Sequence, residues 1–351
     1  MILSLMLAAS SAQAVEVTWP GGGHAGNPQW SADGQWLAFE VNNNADKVDL
    51  YVVKASNAAP GAPAKVLIPG ASSSFSGGGG YAANPAWHPK NVLIFEAANA
   101  GGTMRLYSVS PTAPASSSEY LNSTVAKGSL GWPSLSADGQ WLAFSSSATG
   151  KGDIYRFSPK ENKVSVTLET DSPETAPRFS PDGKTLVFSK KDKKDTNTEE
   201  VFSWTADTGL QKMLAGGAGD QTRPRIVGSN VVYFTNERGD GRWDIAMVPL
   251  AGGERRIVAK DVRLPQHSAP AVTPDGLAVL YGSAAPAQDS NVLVAKLDGS
   301  GSKTLTTGGL TAVGDPVVVS AGGRTLLAFT ALPKQESDWR QLHVLDVTGQ
   351  L

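Results

Sequence analysis

Residues Pro177–Phe188 read PRFSPDGKTLVF. A proline, an apolar residue two places on, an Asp-Gly turn and a short β-branched and aromatic run describe two strands joined by a tight hairpin turn. The same sentence recurs along the chain. Prolines stand in similar surroundings at Pro28, Pro85, Pro133, Pro177, Pro224, Pro270 and Pro316, at intervals of 57, 48, 44, 47, 46 and 46 residues. Two residues after each comes Trp30, Trp87, Leu135, Phe179, Ile226, Val272 or Val318. A turn follows, Asp-Gly in four copies (Asp33-Gly34, Asp138-Gly139, Asp182-Gly183, Asp275-Gly276), then an apolar strand ending in Phe39, Phe95, Phe144, Phe188, Phe234, Tyr281 or Phe329.

A third strand follows a variable loop in every copy, with Leu50-Tyr51, Leu106-Tyr107, Ile154-Tyr155, Val201-Phe202, Ile245-Ala246, Val292-Leu293 and Leu342-His343. A fourth, shorter strand closes six copies. Four antiparallel strands per unit of about 45 residues is the pattern of a propeller blade. A four-stranded sheet covers both faces only when neighbours stack on either side, so the blades form a ring. We therefore expect an all-β, seven-bladed β-propeller over residues 15–351; six blades with one divergent copy is the competing arrangement. The repeat proline is expected at the first residue of each innermost strand, where no ladder N–H is needed. The last copy stops after its third strand, and Val15–Trp19 alternates like a strand before any repeat begins. The N-terminal strand should therefore complete the seventh blade and close the ring.

Composition agrees with a packed β protein of this size. The 351 residues are 40% hydrophobic, with 38 Gly and 22 Pro for many turns. A formal charge of −2 without basic clusters excludes a nucleic-acid footprint. There is no cysteine, so neither a disulfide nor a lipid on an N-terminal cysteine is available. Residues 1–14, MILSLMLAASSAQA, read as a secretory signal peptide: an apolar run from Ile2 to Ala9 and a small-x-small site at Ala12-Gln13-Ala14. No Lys or Arg precedes that run, and a short N-terminal core strand is the plainer alternative. The run is too short to span a bilayer. These features imply an exported, soluble mature protein.

The unit P-x-[WF]-S-[PA]-D-G-x-x-[LAV]-x-F, followed by D-[IL]-Y, resembles the WD40-like PD40 repeats of TolB-like propellers. Pro28–Phe39 (PQWSADGQWLAF), Pro133–Phe144 (PSLSADGQWLAF) and Pro177–Phe188 carry the match, and Thr235–Met247 is similar to the family's loop between second and third strands. The resemblance implies a periplasmic scaffold in a Gram-negative cell envelope, whose open channel end binds a partner protein or lipoprotein, with no cofactor. Against TolB itself we expect two departures: no α/β domain before the propeller, and seven blades rather than six. A TolB-like module serving another envelope machine is therefore expected.

The residues before each repeat proline are expected in loops at the channel mouth. They include His24, Asn27, Asn84, Trp132, Glu174, Arg223, His267 and Asp315, a polar set with a tryptophan and an arginine suited to anchoring a partner. The bland reading is that they cap strands and hold channel water. The insertion Pro69–Ala83 (PGASSSFSGGGGYAA) carries Phe75 and Tyr81, either to order on a ligand or as incidental aromatics on a floppy connection. The charged run Lys190–Asp195 is expected on the opposite face, either as a small docking loop for an acidic surface or, more simply, as a solvated loop.

Catalysis is the second function class. Some TolB-like propellers resemble metal-dependent, oligogalacturonate-type polysaccharide lyases, which use several channel histidines. Of four histidines here, His24 and His267 fall near the mouth, where Asp315 or Glu174 would have to assist; His88 sits in a turn and His343 on a third strand. Neither GxSxG nor HExxH occurs. We expect no enzyme, no catalytic residue and no bound metal. Sugar binding is a further alternative, and a purely structural ring that binds through its blade rim is the third class.

Overall fold

The computed structural model describes residues 14–19, 22–43, 47–55, 65–68, 82–99, 101–192, 198–265, 267–284, 290–306, 310–333 and 339–351. Seven antiparallel sheets of four strands each form seven blades. Blade 1 runs through His24–Trp30, Trp36–Asn42, Val48–Lys54 and Lys65–Ile68, and its successors repeat that order. Residues 1–13 of the expected signal peptide 1–14, and the loop aromatics Phe75 and Tyr81, lie outside the described residues.

Ring closure follows the sequence expectation. Val15–Val17 pairs antiparallel with Gln341–Asp346, setting Val15 opposite Val344 and Val17 opposite Leu342, so the seventh blade is built from both ends of the chain. Val17 is buried in the core between blades 7 and 1, with Phe39, Leu342 and Val344. Pairing that strand covers the free edge of Gln341–Asp346.

The aromatic repeat positions face each other across strands. Phe39 pairs Tyr51, Phe95 pairs Tyr107, Phe144 pairs Tyr155, and Phe188 pairs Phe202, each stacked at ring distances of 5.6 to 6.0 Å. In blade 7 the pair is Phe329 and His343, at 5.4 Å. Large cross-strand pairs of this kind give the interblade layers their apolar area.

The Asp-Gly turns also share one mechanism. Ser31 Oγ donates to Asp33 Oδ1 at 2.6 Å, the same oxygen accepts Gln35 N–H at 3.0 Å, and Gly34 takes a φ of 66°. Ser136/Asp138, Ser180/Asp182 and Thr273/Asp275 repeat it. This is a side-chain-locked turn that needs a residue tolerant of positive φ.

The proline position differs from the sequence expectation. It is not the first residue of the innermost strand. Pro28 is the fifth residue of His24–Trp30, and the pairing with the second strand shifts register between Gly26 and Gln29. The same bulge recurs around Pro85, Pro133, Pro177, Pro224 and Pro316. The residue before each of these prolines is left-handed: Asn27, Asn84, Trp132, Ala176, Arg223 and Asp315 have φ between 45° and 55°. A bulge frees one residue from the ladder, so the proline's missing N–H costs nothing there. Blade 6 departs from this pattern. Its innermost strand is only Ala271–Val272, starting after Pro270, and Ala269 is not left-handed.

Candidate functional site

The bulges decide which side chains meet in the channel. Six blades place their pre-proline residue inside the innermost strand rather than in a loop, which corrects the expectation for Asn27, Asn84, Trp132, Arg223 and Asp315. His24 and Glu174 likewise begin strands, and only His267 stands in an irregular segment. A left-handed Trp132 or Arg223 would ordinarily signal local functional strain. Because six blades share the conformation, it belongs to the fold.

The second strand supplies the anchors for these bulges. The residue after its terminal aromatic is Glu40, Glu96, Ser145, Ser189, Thr235, Gly282 or Thr330 in blades 1 to 7. Glu40 Oε1 accepts the backbone N–H of Asn84 in blade 2 at 2.7 Å and the Asn27 amide at 2.8 Å. Glu96 accepts the backbone N–H of Trp132 in blade 3 and the Asn84 amide. Ser189 Oγ accepts the N–H of Arg223 in blade 5 at 2.9 Å. Asn84 thus bridges two glutamates. Burial raises the Glu96 carboxyl to about 7 despite these donors and His267.

His267 enters the channel from blade 6. Its ring stands edge-on to Trp132 at 5.6 Å, and its Nδ1 lies 3.7 Å from Glu40 Oε2. It borders two cavities. The wider, about 290 Å³, is also lined by His24, Glu40, Asp315 and Arg340. The narrower, about 20 Å³, lies among Asn27, Asn84, Trp132 and Arg178. Of the eight expected mouth residues, Glu174 and Arg223 border neither cavity. Glu174 is buried where blades 3 and 4 meet, bonded to Thr170 and 3.8 Å from Lys190, and burial lifts its carboxyl to about 7. The Arg223 guanidinium donates to the Pro265 carbonyl and so ties blade 5 to the segment leading into blade 6.

The histidines divide by environment. His24 Nδ1 accepts the Arg340 N–H at 3.1 Å, and burial with the Arg340 charge lowers its pKa. Its imidazole is therefore neutral with one nitrogen in use. His88 accepts Lys90 N–H within its turn, and His343 is a core residue held down to about 4 by burial. Among the described residues no three of His, Cys, Asp and Glu gather as a metal-ligating group.

Sequence reading missed Glu40, Glu96, Arg178 and Arg340. A signal existed for the glutamates, because the position after the second-strand aromatic is polar in six copies. Lys190 pairs with Glu174 at the head of blade 4, so the described start of the charged run, 190–192, lies on the same face as the channel mouth. That corrects its expected position; residues 193–197 lie outside the described residues. The cause is simple topology: the loop after a second strand starts beside the beginning of the first. No helix among the described residues is long and apolar enough to cross a membrane.

Comparison with known proteins matches residues 115–311 to the TolB beta propeller domain family. No curated protein matches. Among solved structures, an oligogalacturonate lyase in complex with manganese aligns at 15% identity over 97% of this chain and 94% of that one, with a TM-score of 0.66. TolB from Acinetobacter baumannii aligns at 16% identity and a TM-score of 0.53, over 90% of this chain and 64% of that one, so the chain spans under two thirds of that TolB. The β-propeller domain of the Trilobed protease from Pyrococcus furiosus aligns at 12% identity over 93% and 96%, with a TM-score of 0.63. That domain is described as having an open velcro topology, whereas here Val15–Val17 closes the ring. At these identities the likeness shows the fold alone.

Proposed function

The chain belongs to the TolB β-propeller domain family, and on that premise we propose that it is an exported, periplasmic binding protein that holds an envelope partner at its channel mouth. One observation carries this reading. His267 of blade 6, Trp132 of blade 3, and Glu40 and Asn27 of blade 1 converge on the channel around an aromatic pair, beside a 290 Å³ recess. Aromatic and charged anchors in a recess are the usual centre of a protein interface. The polar donors here are fixed by the bulges and need no reordering on binding, which lowers the entropic cost of association.

Binding without turnover is part of the proposal. The second reading, a metal-dependent lyase, has one observation in its favour: His24, His267 and Asp315 border the same cavity. Against it, the Nδ1 of His24 is occupied by Arg340.

The test is an affinity capture from cross-linked envelope extract with residues 15–351 and with the Trp132→Ala/His267→Ala double variant. We expect a stoichiometric envelope protein with the first and its loss with the second. Equal capture by both would move the interface to the blade rim. No enrichment over control, with manganese heat on titration into the wild type, would favour the lyase.

A further inference from the structure

In every copy the residue following the repeat proline is Gln29, Ala86, Ser134, Arg178, Arg225, Ala271 or Val317. Five are uncharged. Neighbouring blades 4 and 5 alone supply arginines, on innermost strands that pack side by side. Arg178 lines the 20 Å³ cavity with Asn27, Asn84, Trp132 and His267, which come from blades 1, 2, 3 and 6. Only the central channel brings those blades together, so the Arg178 guanidinium lies in it.

Among the described residues these charges lack a counterion. The hydrogen bond of Arg178 goes to the carbonyl of Pro177 at 3.1 Å. Among the described residues no carboxylate reaches ion-pair distance of Arg178 or Arg225. The channel glutamates are held elsewhere: Glu40 by Asn27 and Asn84, Glu96 by Asn84 and Trp132. Burial and the nearby charges of Arg225 and Arg223 depress the Arg178 guanidinium to about 10, and burial lowers that of Arg225. Crowding like charges away from water is unfavourable unless an anion joins them.

We propose that Arg178 and Arg225 form a carboxylate-binding site in the channel, which receives an acidic side chain or C-terminal carboxylate of a partner polypeptide. The proposal rests on the channel-mouth reading above. Charge complementarity and size select the occupant. Guanidinium forks bind carboxylates in a fixed planar geometry. The cavity beside Arg178 has room for one small group and would not admit a sugar ring, while His267 links it to the wider recess that a polypeptide would enter.

Fluorescence anisotropy with fluorescein-labelled hexaglutamate tests the site on residues 15–351. We expect binding that weakens steeply with salt, and an affinity loss of about tenfold or more in Arg178→Gln/Arg225→Gln. Arg178→Lys/Arg225→Lys should lose less than the glutamine variant. An amidated peptide binding equally assigns the side-chain carboxylate; one binding more weakly assigns the C-terminus. Failure of wild type to bind hexaglutamate, or an unchanged Kd in the glutamine variant, overturns the proposal. The glutamine variant should also melt no lower than wild type, because it removes uncompensated charge; if it does not fold, Arg225→Gln alone carries the comparison. Capture of the envelope partner by the glutamine variant but not by Trp132→Ala/His267→Ala would refute the arginine site and leave the mouth reading standing.

Discussion

The Glu40 carboxylate accepts the backbone N–H of Asn84 from the next blade at 2.7 Å, and through the same oxygen the Asn27 side-chain amide at 2.8 Å. One buried side chain therefore fixes two neighbouring bulges. Glu40→Ala orphans the Asn84 N–H and leaves the Asn27 amide only a long bond, 3.4 Å, to Asn84 Oδ1. A buried orphan costs roughly 1–3 kcal/mol, and with the weakened amide bond the variant should lose about 2–4 kcal/mol in urea unfolding. A loss below about 0.5 kcal/mol would mean that the contact is incidental.

At the junction of blades 6 and 7 the equivalent position is Gly282, for a steric reason. A Cβ there would run into the Val313 carbonyl oxygen and stand 2.8 Å from its carbon and 3.0 Å from Gly314 Cα. Both obstacles are backbone, so neither moves cheaply. Gly282→Ala should destabilise by about 3 kcal/mol or more, in the range of severe overpacking. A variant melting within two degrees of wild type would show that the blades can slide apart without penalty.

Glu96 gives the protein a pH dependence of defined sign. Its carboxyl rises from 4.5 to about 7 on folding because the chain buries it. The folded state thus prefers the protonated form. The contribution is fully present below the unfolded value near 4.5 and is lost as pH rises to about 7, where the buried charge must form. By linkage the swing is at most about 3 kcal/mol. Glu96→Gln keeps an oxygen for Asn84 and Trp132 and removes the charge, so its advantage over wild type should grow from pH 5 to pH 8. Parallel stability curves for the two proteins would contradict this.

The fold was legible because its repeats obey local chemistry. Proline, Asp-Gly turn, phenylalanine and tyrosine each have one geometric role, and the spacing alone counted seven blades. The N-terminal strand was equally readable, since the last copy lacked an outer strand that Val15–Val17 now provides. The bulge was hidden. Nothing in the string Asn27-Pro28 or Trp132-Pro133 distinguishes a strand's first residue from its kinked middle, because both tolerate proline. The site was readable only in part for the same reason. His267 and Trp132 were singled out from a presumed loop, but their meeting depends on the closure of the ring. Arg178 and Arg225 looked like ordinary strand residues until blade order set them side by side.

His343 tests the reading of the aromatic pairs. It occupies the third-strand position filled by Tyr51, Tyr107, Tyr155 and Phe202 in blades 1 to 4, stacked on Phe329. Its Nε2 is buried without a hydrogen-bond partner among the described residues. Burial depresses its pKa from 6.5 to about 4, so the folded state holds it neutral. Its stability contribution is present above pH 6.5 and is lost as pH falls toward 4, because only the unfolded chain gains the proton there. This slope is opposite to that of Glu96, and the single variants separate the two. His343→Phe should stabilise by about 1 kcal/mol at pH 7 by removing the unpaired nitrogen. The gain should widen to a few kcal/mol near pH 4, where the proton uptake of the unfolded wild type is fully expressed. Urea unfolding at pH 7, 5.5 and 4.5 reads both numbers. A gain that stays constant across the three would show that His343 titrates normally in the fold, and a loss at pH 7 would show that its ring nitrogen has a partner in solution.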